Sequence, residues 1–452
     1  MKRLLSLLCL LFLWGCNPSF LDVKNNKSQL VPSTLTDFEM LLNKYTVMNT
    51  STGNGLGIAS GDEIAVDDNI WLALKKLQDK NAYVWSKDLF EGEDVPDWNN
   101  PYQTVLYANL VLDGLQKLKG KEQDESTRLK LEGYALFFRA KSFFTLAMHF
   151  AVPWGDIDNE TFGIPLRLDY DPTLISKRAT VTQTYAQIER DLLQALDQLP
   201  KQVPVLYLPS RACAMIMLAR LYLVKSDFEK ALTYVNMALN EGYSLMDYNS
   251  ITPGASYTFP ANGIGNREFL FFENANLVEY FSKTKLTVPT SFVDLFDGND
   301  LRKSYFFTKV GNLYQYKGSY LGSAAIFTGI ALDEAYLIKA ECLVRLGKNN
   351  DGLKALGELL KYRYKPGTAP EYKDMTQEMA LKLVLLERRK ELYLRGHRWY
   401  DLRRLNREDH LKADLKRTVN GTEYYLQARD RRYTFPVPDE VVIKSDVLQF
   451  ER

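Results

Sequence analysis

The sequence predicts a mostly α-helical protein. It reads as a scaffold of tetratricopeptide-like helix pairs carrying an irregular insertion of loops and short strands that forms the ligand-binding side. Three observations predict it. Apolar residues recur at helical spacing through most of the chain. Two segments, 210–242 and 332–362, repeat one helix–turn–helix plan close to the tetratricopeptide period of roughly 34 residues. Between them the composition turns to glycine, proline and tyrosine.

The 452 residues exceed the size of about 250–300 residues at which one hydrophobic core stops growing, so a repeat-built or multilayered body is expected. The chain is 46% hydrophobic and 25% charged, as in an ordinary soluble protein. With Lys+Arg 57 against Asp+Glu 56, no global charge favours nucleic acid. Three histidines and four cysteines exclude a His-rich metal site and a disulfide framework.

Lys2 and Arg3 precede the apolar run Leu4 to Leu13, too short for the roughly 20 residues of a membrane span but suited to a secretory signal. It ends in Leu13-Trp14-Gly15-Cys16, a match to the bacterial lipobox. Residues 1–15 are therefore read as a lipoprotein signal peptide, Cys16 as the acylated residue, and 16–33 as a lipid-anchored tether. Stable anchoring takes more than one acyl chain. In that compartment a disulfide is permitted, but Cys213 and Cys342 each sit among apolar helical residues and read as unpaired core thiols.

Residues 34–242 form the first part of the scaffold, with an N-terminal loop region at 48–97. A helix is expected over 34–47, capped by Thr34 or Thr36. Gly53, Gly55, Gly57 and Gly61 mark a loop running through Asp62-Glu63 and Asp67-Asp68-Asn69 to Trp71. Helical spacing resumes from Trp98 through Tyr102, Val105 and Leu115. A long helix over about 127–150 ends at Pro153-Trp154-Gly155, and Thr182 caps another that Pro200 ends. The pair at 210–242 turns at Lys225-Ser226-Asp227, and the pair at 332–362 at Leu346-Gly347-Lys348.

Residues 243–325 form the insertion, with the β-like run Glu268-Phe269-Leu270-Phe271-Phe272. Residues 326–452 hold the C-terminal helices and a closing segment. There, Leu385/Leu386, Leu392/Tyr393 and Trp399/Tyr400 recur every seven residues, which predicts one continuous amphipathic helix. Its arginines invite a nucleic-acid reading, but Glu387, Glu391 and Asp401 are interleaved. Pairing with those acids, and snorkelling over neighbouring helices, is the expected outcome.

The lipobox followed by Phe20-Leu21-Asp22, Trp98 with Tyr102 and Ala108-Asn109, and Phe138-Arg139-Ala140 with Phe143-Phe144 resemble the SusD/RagB family of outer-membrane lipoproteins. So do Gly163-Ile164-Pro165-Leu166, the run Glu387-Arg388-Arg389 to Gly396-His397-Arg398-Trp399-Tyr400-Asp401-Leu402-Arg403-Arg404, and Phe435-Pro436-Val437-Pro438. These marks span essentially the whole chain. The resemblance implies a nutrient-binding lipoprotein of the outer membrane, facing the cell exterior. It also implies a partner, a SusC-like TonB-dependent barrel that the lipoprotein covers as a hinged lid. The expected ligand is a glycan, on the family's commoner use; a peptide is the other class the family takes.

The family's ligand contacts vary, so candidates come from chemistry. Sugar C–H faces stack on aromatic rings while amides and carboxylates bond the hydroxyls. Trp71 with Asp67, Asp68 and Asn69 in the glycine-rich loop meets that need, as do Tyr257, Phe259, Tyr314, Tyr316 and Tyr320 in the insertion. Each ring equally suits packing beneath a long loop. Trp98, Trp154 and Trp399 belong to scaffold motifs and are assigned to the core; Trp85 is left open.

No Gly-x-Ser-x-Gly, His-Glu-x-x-His or phosphate-binding Gly-x-x-x-x-Gly-Lys motif is present, so no enzyme and no cofactor is expected. Asp156-x-Asp158-x-Glu160 hints at a structural calcium but lacks the twelve-residue loop of a calcium hand. A binding lipoprotein is the leading reading, and a tetratricopeptide-type adaptor that binds only protein is the alternative.

Overall fold

A computed structural model describes residues 32–452 apart from 122–123, 253–256, 283 and 319. The signal peptide, Cys16 and the tether up to residue 31 lie outside the described residues. The first helix, α1 (Leu35–Leu42), begins at Thr34. The Thr34 hydroxyl accepts from the Asp37 amide while the Asp37 carboxylate accepts from the Thr34 amide, a reciprocal cap that satisfies two orphan donors. After α2 (Tyr45–Met48) the expected loop region is built largely of short elements: α3 (Gly55–Ser60), β1 (Ala65–Val66), α4 (Asp68–Leu72) and α5 (Leu77–Tyr83). Its glycines serve packing. A Cβ on Gly57 would lie 2.6 Å from His149 Nε2, so glycine lets buried α3 press against its neighbours.

Helices α6 (Pro96–Leu118), α7 (Glu125–Phe150), α8 (Val181–Gln198), α9 (Arg211–Val224) and α10 (Phe228–Leu239) each pack on the next. The cap of α8 is Thr180, with Gln183 completing the capping box. Thr182 instead lies in the first turn and gives its amide to Glu160 at 2.7 Å.

The insertion contributes β2 (Phe269–Phe271), β3 (Leu286–Val288), α11 (Thr290–Val293), α12 (Leu301–Phe306), β4 (Phe307–Val310) and β5 (Leu313–Tyr316). After β6 (Ile330–Ala331), the second pair follows as α13 (Leu332–Arg345) and α14 (Asn349–Leu360), with α10 and α15 (Gln377–Glu391) packed on α13. Then come α16 (His397–Leu405), the hairpin β7 (Leu415–Val419) and β8 (Thr422–Leu426), and α17 (Asp439–Lys444). The described residues are thus mostly helical with small sheets, as expected. The β-like run became β2, paired antiparallel with β6.

Two expectations about the C-terminal helix are corrected. The helix is not continuous: Leu394 at φ 55 and Gly396 at φ 78 break it between α15 and α16. Most charges of the run 387–404 do not snorkel either: Glu387, Arg388, Lys390, Glu391, Arg395 and Asp401 are buried and ion-paired. Arg302 from the insertion meets Glu387 at 2.6 Å and Glu391 at 2.9 Å. Arg363 meets Glu391 at 2.7 Å, and Arg404 bonds both Glu341 and Asp401. Burying charge is tolerated only with this degree of pairing. The core assignments of Trp98 and Trp399 hold, Trp154 packs half-buried against the same core, and Cys213 and Cys342 are buried and unpaired. Trp85 is also buried, its indole donating to the Ser60 carbonyl at 2.8 Å.

Candidate functional site

One four-stranded antiparallel sheet, in the order β1-β3-β5-β4, joins the loop region to the insertion. Ala65 pairs with Thr287, and Thr287 with Gln315. The two candidate groups, joined through Ala65 and Thr287 that stand 222 residues apart in sequence, therefore belong to one structural unit.

Asp67 caps α4, accepting from the Asn69 amide at 2.9 Å. Asp67, Asp68 and Asn69 thus open a short helix and are exposed, and Trp71 follows in the same turn, half-buried. The Trp71 indole donates to the Lys80 carbonyl at 3.2 Å, and the Lys80 ammonium lies 4.6 Å from the ring centroid. That cation occupies one ring face.

Side chains alternate across a strand, and this sorts the insertion's tyrosines. Tyr314 and Tyr316 share a face with Val288 and Leu286, the core side. Tyr316 packs 5.4 Å from the Tyr393 ring, and burial pushes its phenol well above the ordinary value. Tyr314 pairs with Lys309, whose ammonium is 6.0 Å from the ring centroid. The opposite face carries Ala65, Thr287, Thr308 and Gln315, with Val310 and Leu313 at the hairpin tip 50% and 56% exposed. The alternation around Gln315 was the available signal for this polar face.

Tyr257 and Tyr316 line one small cavity of about 20 Å³ with Phe281, Ser282 and Ile326. Phe259 and Tyr320 are different. They are 4% and 3% exposed, with their rings 4.7 Å apart. The Tyr320 hydroxyl bonds Glu268 at 2.5 Å and Tyr248 at 2.8 Å. These two rings belong to the main core that the insertion shares with the scaffold, Tyr320 lying 5.0 Å from the Arg395 guanidinium, and they present no open face.

Residues 274–279 strap the insertion to the N-terminal region, a connection that the sequence reading missed. The Asn276 amide donates to Asp97 at 2.8 Å, and the Glu279 backbone amide to Asp79 at 2.8 Å. Glu279 in turn accepts from the Lys75 amide at 2.7 Å. Burial pushes the carboxyls of Asp79 and Asp97 up to about 6.

A larger cavity of about 420 Å³ lies between α6, residues 165–176 and α17, with Trp98, Tyr102, Leu106, Ile175 and Val441 in its walls. Several of its polar side chains are spent on the surrounding loop. Asn109 bonds the Arg167 and Asp169 carbonyls, Tyr102 the Pro165 carbonyl, and Arg167 the Leu174 carbonyl and Ser176 hydroxyl.

The hinted calcium ligands do not converge. Asp156 accepts from the Asn159 amide, and Glu160 from the Thr182 amide. Among the described residues, the carboxylates close enough to share an ion are Glu268, Asp333 and Glu391. Arg363 and Arg395 already neutralise them.

Residues 19–223 match the family described as "Starch-binding associating with outer membrane", and residues 234–449 match the SusD family. The chain belongs to the SusD/RagB family. Solved structures agree. A putative sugar binding protein from Bacteroides vulgatus is 25% identical with a TM-score of 0.75, covering 93% of this chain and 99% of that one. A SusD superfamily protein from Bacteroides thetaiotaomicron is 21% identical with a TM-score of 0.75, covering 93% of this chain and 100% of that one. No curated protein matches the chain. Among the described residues no helix is long and apolar enough to cross a membrane. In this SusD/RagB chain, the family-like run 387–404 is the buried charge network described above, so its role is to hold α15 and α16 against the insertion and α13.

Proposed function

We propose that this protein is a surface-exposed lipoprotein of the outer membrane, anchored through Cys16, that captures an oligosaccharide and delivers it to a SusC-like TonB-dependent barrel. Family membership supports carbohydrate binding. The observation that carries the placement of the site is the sheet that joins residues 65–72 to the insertion strands. On this reading Trp71, Asp67, Asp68 and Asn69 on α4 act with Tyr257 and Tyr314, half-buried at the insertion, while Tyr316 packs beneath them on Tyr393. Trp71 offers the exposed part of its half-buried ring, and the exposed carboxylates and amide offer acceptors and a donor to sugar hydroxyls.

The protein acts by binding, without bond cleavage. Two of its histidines, His149 and His397, are buried on scaffold helices, and burial pushes His149 down to about 3. Neither is placed to exchange protons with a surface ligand.

The test is a mild-detergent pull-down of the tagged, lipidated protein from its own membrane, with mass spectrometry of protein and small ligand. A large β-barrel in near-equal amount, with a co-purifying glycan, is the expected result. A co-purifying peptide would move the ligand class. Absence of a barrel from membranes that contain one would favour the adaptor reading.

A further inference from the structure

A cavity of about 400 Å³, separate from the sheet, lies between Pro153, the C-terminal end of α16 and residues 429–434. We propose that it binds an oxyanion: a sulfate, phosphate or carboxylate group, free or carried on a small sugar. Four arginines line it, Arg403, Arg407, Arg429 and Arg431, against two carboxylates, Asp156 and Asp430. Asp430 is already bound by Arg432 at 2.6 Å, and Asp156 accepts from the Asn159 amide. Arg429 is paired with Asp409 at 3.0 Å, so the wall's excess positive charge rests on Arg403, Arg407 and Arg431 against Asp156.

Behind that wall two buried groups, closed off from solvent, carry donors without a partner and add to its positive field. Arg403 reaches only the backbone carbonyls of Ala147, Met148 and Ala151, and its Nε has no partner. Among the described residues no carboxylate pairs with it, and burial lowers its guanidinium to about 10. Asn406 uses its Oδ1 on the Ala413 amide at 3.0 Å and leaves Nδ2 without a partner. The Tyr433 hydroxyl sits beside the Asn406 side chain, in the same buried layer behind the wall.

The outer arginines are positioned. Gly155 has φ +81, and a Cβ there would lie 2.3 Å from Arg407 Nη2, so glycine permits the guanidinium to lie against this turn. Arg431 rests on the Phe450 ring at 4.4 Å. Planar guanidinium forks match oxyanions in a bidentate fashion, and low-dielectric walls focus their field. The volume falls within the roughly 300–1,000 Å³ of small-molecule sites, which accommodates a charged monosaccharide as well as a bare anion.

Titration calorimetry of the full folded protein with sodium phosphate, sodium sulfate, glucuronate and neutral glucose, at ionic strength held constant with chloride, tests the site. Saturable binding of at least one anion is expected, with no binding of glucose here. Arg407→Ala and Arg431→Ala each weaken it about tenfold. Tighter binding of glucuronate than of phosphate or sulfate identifies a charged sugar; the reverse identifies the free anion. Absence of heat with all three anions, or equal affinity in both variants, overturns the proposal. If Arg407→Ala does not fold, the exposed Arg431 carries the test. Because these residues are separate from α4 and the insertion, failure here leaves the glycan reading intact.

Discussion

Arg388 Nε lies 2.8 Å from Asp401 Oδ2, thirteen residues further along the chain. The pair spans the break between α15 and α16, and Asp401 also accepts from Arg404 at 2.8 Å. Coulombic attraction from both guanidinia holds the Asp401 carboxyl below its ordinary value despite burial. Asp401→Ala would leave two buried arginines without this partner, at a cost of about 3–5 kcal/mol. Urea unfolding checks this. A loss within about 0.5 kcal/mol would mean that Glu341, already paired with Arg404, and Glu334, 3.8 Å from Arg388, compensate.

A pH dependence follows from Glu63. Burial, with the neighbouring Asp62 charge second, raises its carboxyl from 4.5 to about 8. Its Oε2 accepts from the Leu394 amide at 3.3 Å, at the break between the two helices. The folded state thus binds a proton that the unfolded chain releases near 4.5. Its stabilising contribution is complete below that value and is lost as pH rises to about 8. Asp79 and Asp97 act in the same sense, but only up to about 6. Asp62 has the opposite sign: Arg398 and Arg389 overcome burial and hold it low, so its contribution is lost in acid. Above pH 6 Glu63 continues the fall, in the same sense as Glu268, whose carboxyl burial also raises. Glu63→Gln is expected to flatten melting temperature against pH between about 6 and 8, and an unchanged slope would contradict it.

Trp71 and Tyr320 separate binding from packing. Trp71→Ala removes a half-buried ring and is expected to weaken glycan binding about tenfold, which is roughly 1.4 kcal/mol, with a modest change in melting temperature. Tyr320→Phe deletes a hydroxyl shared by Glu268 and Tyr248, and is expected to cost about 1–3 kcal/mol of stability while leaving affinity unchanged. Calorimetry on both variants decides the assignment. Reversal of the two outcomes would place the ligand inside the insertion.

The helix pairs were legible because their signals are local: apolar spacing, a three-residue turn, a cap within the first turn. The break at Leu394 and Gly396 was not, since apolar residues continue at seven-residue intervals through it. Its partners are distant in sequence: Leu394 gives its amide to Glu63, and a Cβ on Gly396 would lie 3.2 Å from Asn54 Cγ. The sheet was illegible for a similar reason. Its strands hold two to four residues, too few for a period, and their partners are far off in sequence. Composition singled out the aromatics of the insertion. It could not tell Tyr316 at a cavity wall from Tyr320 in a core, because ring chemistry is the same in both.

Asp97 tests the strap. It sits beneath the entry to α3 and accepts from the Leu56 amide at 3.1 Å and from Asn276 at 2.8 Å. Asp97→Ala strands both donors in a buried place, at about 1–3 kcal/mol each. Hydrogen exchange is expected to quicken across 274–279, with helices α9 and α13 unaffected. Asp97→Asn is the sharper variant. Its amide resembles the protonated acid, which the raised carboxyl already favours below about pH 6. The variant is therefore expected to match the parent in mild acid and to diverge from it above neutrality, where the ionised carboxylate accepts both bonds more strongly. Equal exchange rates for variant and parent at pH 5 and at pH 8 would show that the Asn276 bond does not hold the insertion in place.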